Sequence, residues 1–207
     1  MKLKYLFCIF SFIILRGISF SQDNQVSNIN AVDNLLDESL VPFSNKLVLL
    51  GEGKFYNIIT DGNKEQHLFL IESIKRKFSK YKILVNEDSG NIDYIVSIKN
   101  PVIKIKYNNL FSDRLLGTKK VAREVSISYD LELIDQKNSS SLYLNNFNKK
   151  VIDSFELDKL NIVEDHRYKF SRSALPEENT LNKLLFPVLI IATSAAAIIL
   201  FFIIRSK

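Results

Sequence analysis

His67 and His166 are the only two imidazoles in this 207-residue chain, and they stand in unrelated settings. A zinc site gathers several Cys, His or carboxylate ligands, and neither histidine has such neighbours at ligand spacing; His67 reads as an ordinary surface histidine on a helix. Ser79-Lys80-Tyr81-Lys82 matches Ser-x-x-Lys by letter, but it closes a helix without companion motifs, and no Gly-x-Ser-x-Gly elbow occurs. Gly51-Glu52-Gly53 lacks the third glycine, the lysine and the Ser/Thr of a phosphate loop, so a turn is expected there. Glu87-Asp88 and Asp113 fall near turns, where carboxylates are solvated, and a glycosidase pair would need a cleft. Asn138-Ser139-Ser140 is a glycosylation sequon, meaningful only in a host that glycosylates secreted proteins. These residues predict a non-catalytic protein without cofactor or metal.

The elements that would position any site begin with the two ends. Met1-Lys2-Leu3-Lys4, the apolar run Tyr5 to Leu15 and the small residues Ser19 and Ser21 predict a signal peptide over 1–21, with a mature start at Gln22. Cys8, the single cysteine, lies inside that apolar run without a lipobox, so the mature chain would hold no thiol for a disulfide, a metal or a nucleophile. Near the other end, Leu184 to Ile204 runs 21 residues without a charge. As a helix it would be about 31 Å long, against about 30 Å for a bilayer's hydrocarbon core. Lys183 and Arg205-Ser206-Lys207 flank it, which predicts a single-pass type I span at 184–204 with a cytoplasmic tail 205–207.

The formal charge of +5 dissolves once it is located. Of 28 basic residues, three lie in the signal and two in the tail; the remaining 23 match the 23 acidic residues of Gln22 to Lys183. A neutral ectodomain lacks the attraction that phosphate backbones require, so no nucleic-acid partner is expected.

Within the ectodomain, Gln22 to Asn45 predicts a polar segment and a short helix carrying Val32, Leu35, Leu36 and Leu40, stopped at Val41-Pro42. Lys46 to Leu50 reads as a buried first strand. A helix follows Asp61-Gly62-Asn63, with Gln66 placed to reach back to its start and Leu70, Ile71, Ile74, Phe78 and Tyr81 on one face. Lys82 to Asn86 is a short strand, Asp88-Ser89-Gly90-Asn91 a turn, and Ile92 to Tyr107 a long strand with an edge or bulge at Pro101. From Val121 to Ile134, Val121, Arg123, Val125, Ile127, Tyr129, Leu131 and Leu133 alternate with more polar residues, which predicts one buried and one wet face. Asp135 to Asn138 closes a hairpin, with Asn138 suited to a left-handed conformation, and Leu142 to Val151 returns beside it. The fold class is therefore α+β, a mostly antiparallel sheet packed on one face by one or two helices over 46–151. A docking segment and stalk over 152–183 and the C-terminal membrane helix complete the chain.

Phe69 to Lys80 as a packed helix, Ile92-Asp93-Tyr94-Ile95-Val96 as a strand entry, and Val125 to Asp135 running into Lys137-Asn138 carry a resemblance. This pattern resembles the periplasmic α/β modules of bacterial envelope-assembly proteins, of the CsgG, LpoB and TolB N-terminal type, over 46–151. The turn that those modules close with glycine has Ser139 here, and those proteins are commonly lipid-anchored at the N-terminus. The resemblance implies a non-catalytic module that binds other envelope proteins; taken with the C-terminal span, the expected location is a bacterial inner membrane, with the domain facing the periplasm.

Asn108 to Lys120 is too long for a tight turn and carries Leu110, Phe111, Leu115 and Leu116 among polar residues; these four are the expected partner-binding residues, with a loop folded over the sheet edge as the plainer reading. The expected partner is an envelope or membrane protein. Ala192 with Ala196 and Thr193 with Ala197 form small-xxx-small pairs, which leaves a homo-oligomer open. The alternative function, a small-ligand or lipid-binding domain, rests on the one-sided sheet and its many Phe and Tyr residues.

Overall fold

The computed structural model describes residues 26–60, 64–87, 91–112, 117–177 and 180–205, with side chains at 64, 180–186, 200, 204 and 205 outside that description. The predicted signal peptide over 1–21, the predicted turns at 61–63 and 88–90, Asp113, Leu115, Leu116 and residues 206–207 also lie outside it.

The first element is a single helix, α1 (Asn28–Leu50). Ser27 caps it, its Oγ accepting from the Asn30 N–H at 3.1 Å. The expected stop at Val41-Pro42 and the strand at Lys46 to Leu50 are both corrected. Phe43 and Leu47 continue the stripe of Val32, Leu35, Leu36 and Leu40, and all six are buried. A proline inside a helix costs about 3 kcal/mol, but Pro42 faces solvent, and burying Phe43 and Leu47 is worth about as much again. The helix ends at Gly51, whose φ of 96° suits glycine and whose N–H reaches the Leu47 carbonyl at 3.0 Å.

The first strand therefore comes later, as β1 (Phe55–Thr60). α2 (Lys64–Lys77) crosses over to the short β2 (Lys82–Val85). The long strands β3 (Tyr94–Ser112), β4 (Lys119–Asp135) and β5 (Ser140–Glu156) complete a five-stranded sheet of order β2-β1-β3-β4-β5. β1 runs parallel to β2 and β3, whereas the β3–β4 and β4–β5 pairs are antiparallel. The sheet is thus mixed, because the helical crossover α2 forces the β1–β2 pair to be parallel. α1 packs across β4 and β5, α2 packs on β3, and both share one core with the inward residues of the sheet. On β4 the predicted buried row is observed from Val121 to Leu133, and the intervening residues are half-exposed.

Pro101 marks a bulge, where the β3–β4 register shifts between Lys99 and Val102 and Asn100 takes φ 51°. β1 pairs with β3 only as far as Ile98, so among the described residues the outer side of β3 beyond the bulge has no strand beside it. Gln66 covers it at one point: its Nε2 donates to the Ile103 carbonyl at 3.1 Å and its Oε1 accepts from the Ile103 N–H at 3.2 Å. The expected reach of Gln66 back to its own helix start is replaced by this contact. At the β4–β5 turn, Ser139 rather than Asn138 holds positive φ, at 55°. Asn138 instead accepts the Ser140 N–H on its side-chain oxygen at 3.0 Å.

After β5, the turn Leu157–Lys159, α3 (Leu160–Val163) and the turn Lys169–Ser171 fold back onto the domain. Tyr168 and Phe170 each meet the Phe69 ring edge-on at 5.3 Å. The predicted stalk from His166 is therefore partly docked. The last helix is α4 (Thr180–Arg205). Among the described residues, no helix is long and apolar enough to cross a membrane; the side chains of residues 184–186, 200 and 204 lie outside that set.

Candidate protein-binding surface

Three places bring polar or apolar groups together, and they differ in what remains available. The first is the β3–β4 hairpin end. Leu110 is 9% exposed, pairs with Val121 and belongs to the core. Phe111 is half-buried opposite Lys120. The expected loop over 108–120 is corrected to strand through Ser112 and again from Lys119. A second register shift between Tyr107 and Asn109 turns Leu110 inward, so it supports the sheet instead of facing a partner. Leu115 and Leu116 lie outside the described residues.

The second is a buried polar network where β3, β4, β5, the start of α1 and the C-terminal segment meet. Arg123 is 1% exposed. Its Nε donates to Asp153 Oδ1 at 2.7 Å, its Nη2 to Asp153 Oδ2, and its Nη1 to the Val26 carbonyl at 2.9 Å and Asn28 Oδ1 at 2.8 Å. The guanidinium also lies over the Phe155 ring at 5.6 Å. Asn28 Nδ2 donates to Tyr107 Oη at 2.8 Å and to the Ser171 carbonyl at 2.6 Å. Tyr107 Oη donates to Glu164 Oε1 at 3.0 Å, and burial pushes its pKa up. Each of these groups is taken up by another, so the network holds elements together. Arg123 sits on the predicted buried row of β4; an arginine in such a row is the sequence signal for a buried ion pair.

The buried phenols elsewhere are structural as well. Tyr129 is hydrogen-bonded to Ser39 at 2.6 Å and burial raises its pKa, and burial, helped by neighbouring Tyr94, pushes Tyr56 to about 12. His67, expected on the surface, is buried with Nδ1 2.9 Å from Thr60 Oγ1. His166 is exposed. Among the described residues no group of three or more His, Cys, Asp or Glu is placed to hold a metal.

The third place is the outer margin of the sheet. β5 ends the strand order, so among the described residues one side of a 17-residue strand carries no neighbouring strand. Beside it, on the face away from the helices, a hollow of about 400 Å³ is lined by Ser97, Lys99, Asp130, Glu132, Leu144, Asn145 and Asn146. The register stacks Ser97, Glu132 and Leu144 in one row and Lys99, Asp130 and Asn146 in the next. Leu144 is the hollow's one apolar side chain; the others offer charges, amides and a hydroxyl. Sequence reasoning missed it because its members come from three strands.

No family model and no curated protein matches the chain. Among solved structures it is similar to a homolog of a neuraminyllactose-binding hemagglutinin from Helicobacter pylori, with 12% identity and a TM-score of 0.32 over 48% of this chain and 65% of that one. It is also similar to a minor lipoprotein from Acinetobacter baumannii, with 9% identity and a TM-score of 0.30 over 51% of this chain and 67% of that one. Rare lipoprotein B from Shewanella oneidensis gives 8% identity and a TM-score of 0.31 over 74% of this chain and 96% of that one. The match therefore spans under two thirds of the Helicobacter protein. Scores of this size carry no argument about this chain.

Proposed function

We propose that this chain is a non-catalytic, single-pass membrane protein whose extracytoplasmic domain binds a partner protein, in envelope assembly or maintenance, by pairing with the open edge of β5. The observation that supports it is the asymmetry between the sheet's two long unpaired sides. Gln66 and the Lys169–Ser171 turn lie against the outer side of β3, while β5 keeps 17 residues without a strand beside it among the described residues. Exposed strand edges are templates for another chain unless they are blunted. The uncharged run 184–204 of α4, with Lys183 and Arg205 at its ends, would hold this edge beside the bilayer.

The test places a photoreactive residue at Ile152, exposed on β5, or at Val41, exposed on α1, in the full chain in its own membrane. Crosslinking to a partner from Ile152 and not from Val41 is expected. Crosslinking from Val41 alone would move the surface to the helices, and none from either would end the protein-binding reading. In the same cells Leu110→Ser should lower the thermal midpoint, because it removes a buried leucine, worth about 2–5 kcal/mol. The partner should still crosslink to the fraction that remains folded.

A further inference from the structure

The hollow beside β5 holds more negative than positive charge. Asp130 accepts from Asn100 Nδ2 at 3.0 Å and from Asn146 Nδ2; two neutral amides fix the carboxylate without neutralising it. Glu132 meets Lys99 Nζ at 3.4 Å, a loose pair whose ammonium is half-exposed. With Lys99 set against Glu132, the charge of Asp130 is left over. Ser97 lines the same hollow and adds a hydroxyl that can accept from an incoming donor. Leu144, exposed on β5, supplies an apolar wall in the row of Ser97 and Glu132.

Alternate residues of a strand stand roughly 7 Å apart. Asp130 and Glu132 are therefore poorly placed to ligate one bare ion, whose oxygen ligands lie about 2.3–2.6 Å away in the case of calcium. A long side chain can lay its methylenes along Leu144 and end in a cation with several donors. We infer that the hollow receives a lysine or arginine side chain from the partner segment that pairs with β5. This rests on the edge-binding reading and names the chemistry of its partner.

The experiment uses the full chain in its membrane, with the photoreactive residue at Leu144 in one version and at Ile152 in another, and sequences the crosslinked peptide. The expected result is a partner peptide bearing Lys or Arg within two residues of the Leu144 crosslink. Its yield should fall about tenfold in Glu132→Gln, the loss of one charge-assisted hydrogen bond. It should rise in Lys99→Met, which removes the competing ammonium; a variant that merely misfolds would not show that gain. Thermal midpoints within a few degrees of the parent confirm that both variants fold. A Leu144 crosslink to a peptide without a cation, a yield indifferent to Glu132→Gln, or crosslinking from Ile152 only, overturns this inference and leaves edge binding in place. No crosslink at either position overturns both.

Discussion

Arg123 and Asp153 allow a prediction in which exposure alone gives the wrong order. Arg123 is 1% exposed and the Asp153 side chain 37% exposed, so a surface argument would make Asp153 the milder site. Arg123→Met removes the charge, keeps much of the stem volume and lets Asp153 turn to water. Its main cost is Asn28, which is fully buried and loses the donor at 2.8 Å to its Oδ1; an orphaned buried acceptor costs about 1–3 kcal/mol. With some lost packing against Phe155 the total is about 2–4 kcal/mol. Asp153→Asn instead leaves a buried guanidinium without its counter-charge, for which about 3–5 kcal/mol is typical. Asp153→Asn should therefore be at least as damaging as Arg123→Met. Adding Asp153→Val to Arg123→Met should cost little more, because the ion pair is already gone. The assay is urea unfolding of the detergent-solubilised chain, followed by near-UV circular dichroism of its eight tyrosines, since it has no tryptophan. With a slope of about 2 kcal/mol per molar urea, 3 kcal/mol moves the midpoint by about 1.5 M. A loss under about 1 kcal/mol for Arg123→Met, or a milder effect for Asp153→Asn, would refute the account.

Two further outcomes follow from the fold. Pro42→Ala should stabilise the chain by about 1–2 kcal/mol, the helix-interior penalty of proline less its restriction of the unfolded state; urea unfolding checks this, and an unchanged or lowered midpoint would contradict the continuous α1. Asp93 links the starts of β1 and β3, its Oδ2 accepting from the Phe55 N–H at 3.1 Å and its Oδ1 from Lys54 Nζ at 3.3 Å. That backbone bond, more than the lysine, holds its carboxyl below the ordinary 3.8, and hydrogen bonds from Arg167 hold Asp165 at about 2. Both pKa values are lowered by folding, so their contribution is complete above the unfolded value and is lost as pH falls through the folded one. The unfolding midpoint should fall between about pH 4 and 2, and Asp93→Asn should flatten that limb; an acid limb identical in the variant would remove Asp93 from the explanation.

What the sequence disclosed divides along contact range. The inward row of β4 was legible because alternation is a local property, and it already held Arg123. The partners of that arginine were not legible, since Asn28 stands 95 residues away and no local pattern joins them. α1 shows a second limit. Lys46 to Leu50 is a compact apolar run that suits a buried strand in isolation, and only the continued spacing from Leu40 through Phe43 to Leu47 marks it as helix. Choosing the strand there concealed β1 at Phe55. Leu110 fails for a third reason: the bulge after Tyr107 changes which alternate residues face inward, and a bulge leaves no mark in hydrophobic spacing.

The buried network has a consequence for the proposed anchoring. It fastens the start of α1, through Val26 and Asn28, to the C-terminal segment, through Glu164 and Ser171. Docking continues to Ser173, whose N–H reaches Glu164 Oε1 at 3.2 Å, and α4 begins at Thr180. The seven steps from Ser173 to Thr180 can span at most about 25 Å, and the four helical residues before Leu184 add about 6 Å. If α4 crosses the bilayer, the domain is held within about 31 Å of it by the same groups that bury Arg123. Loss of the network would remove the hold at Glu164 and Ser171 and leave Val163 in the core and Tyr168 and Phe170 on Phe69 as the remaining attachment. The buried arginine is then one of two holds that would set how far from the membrane the β5 edge meets its partner, as well as how stably the domain folds.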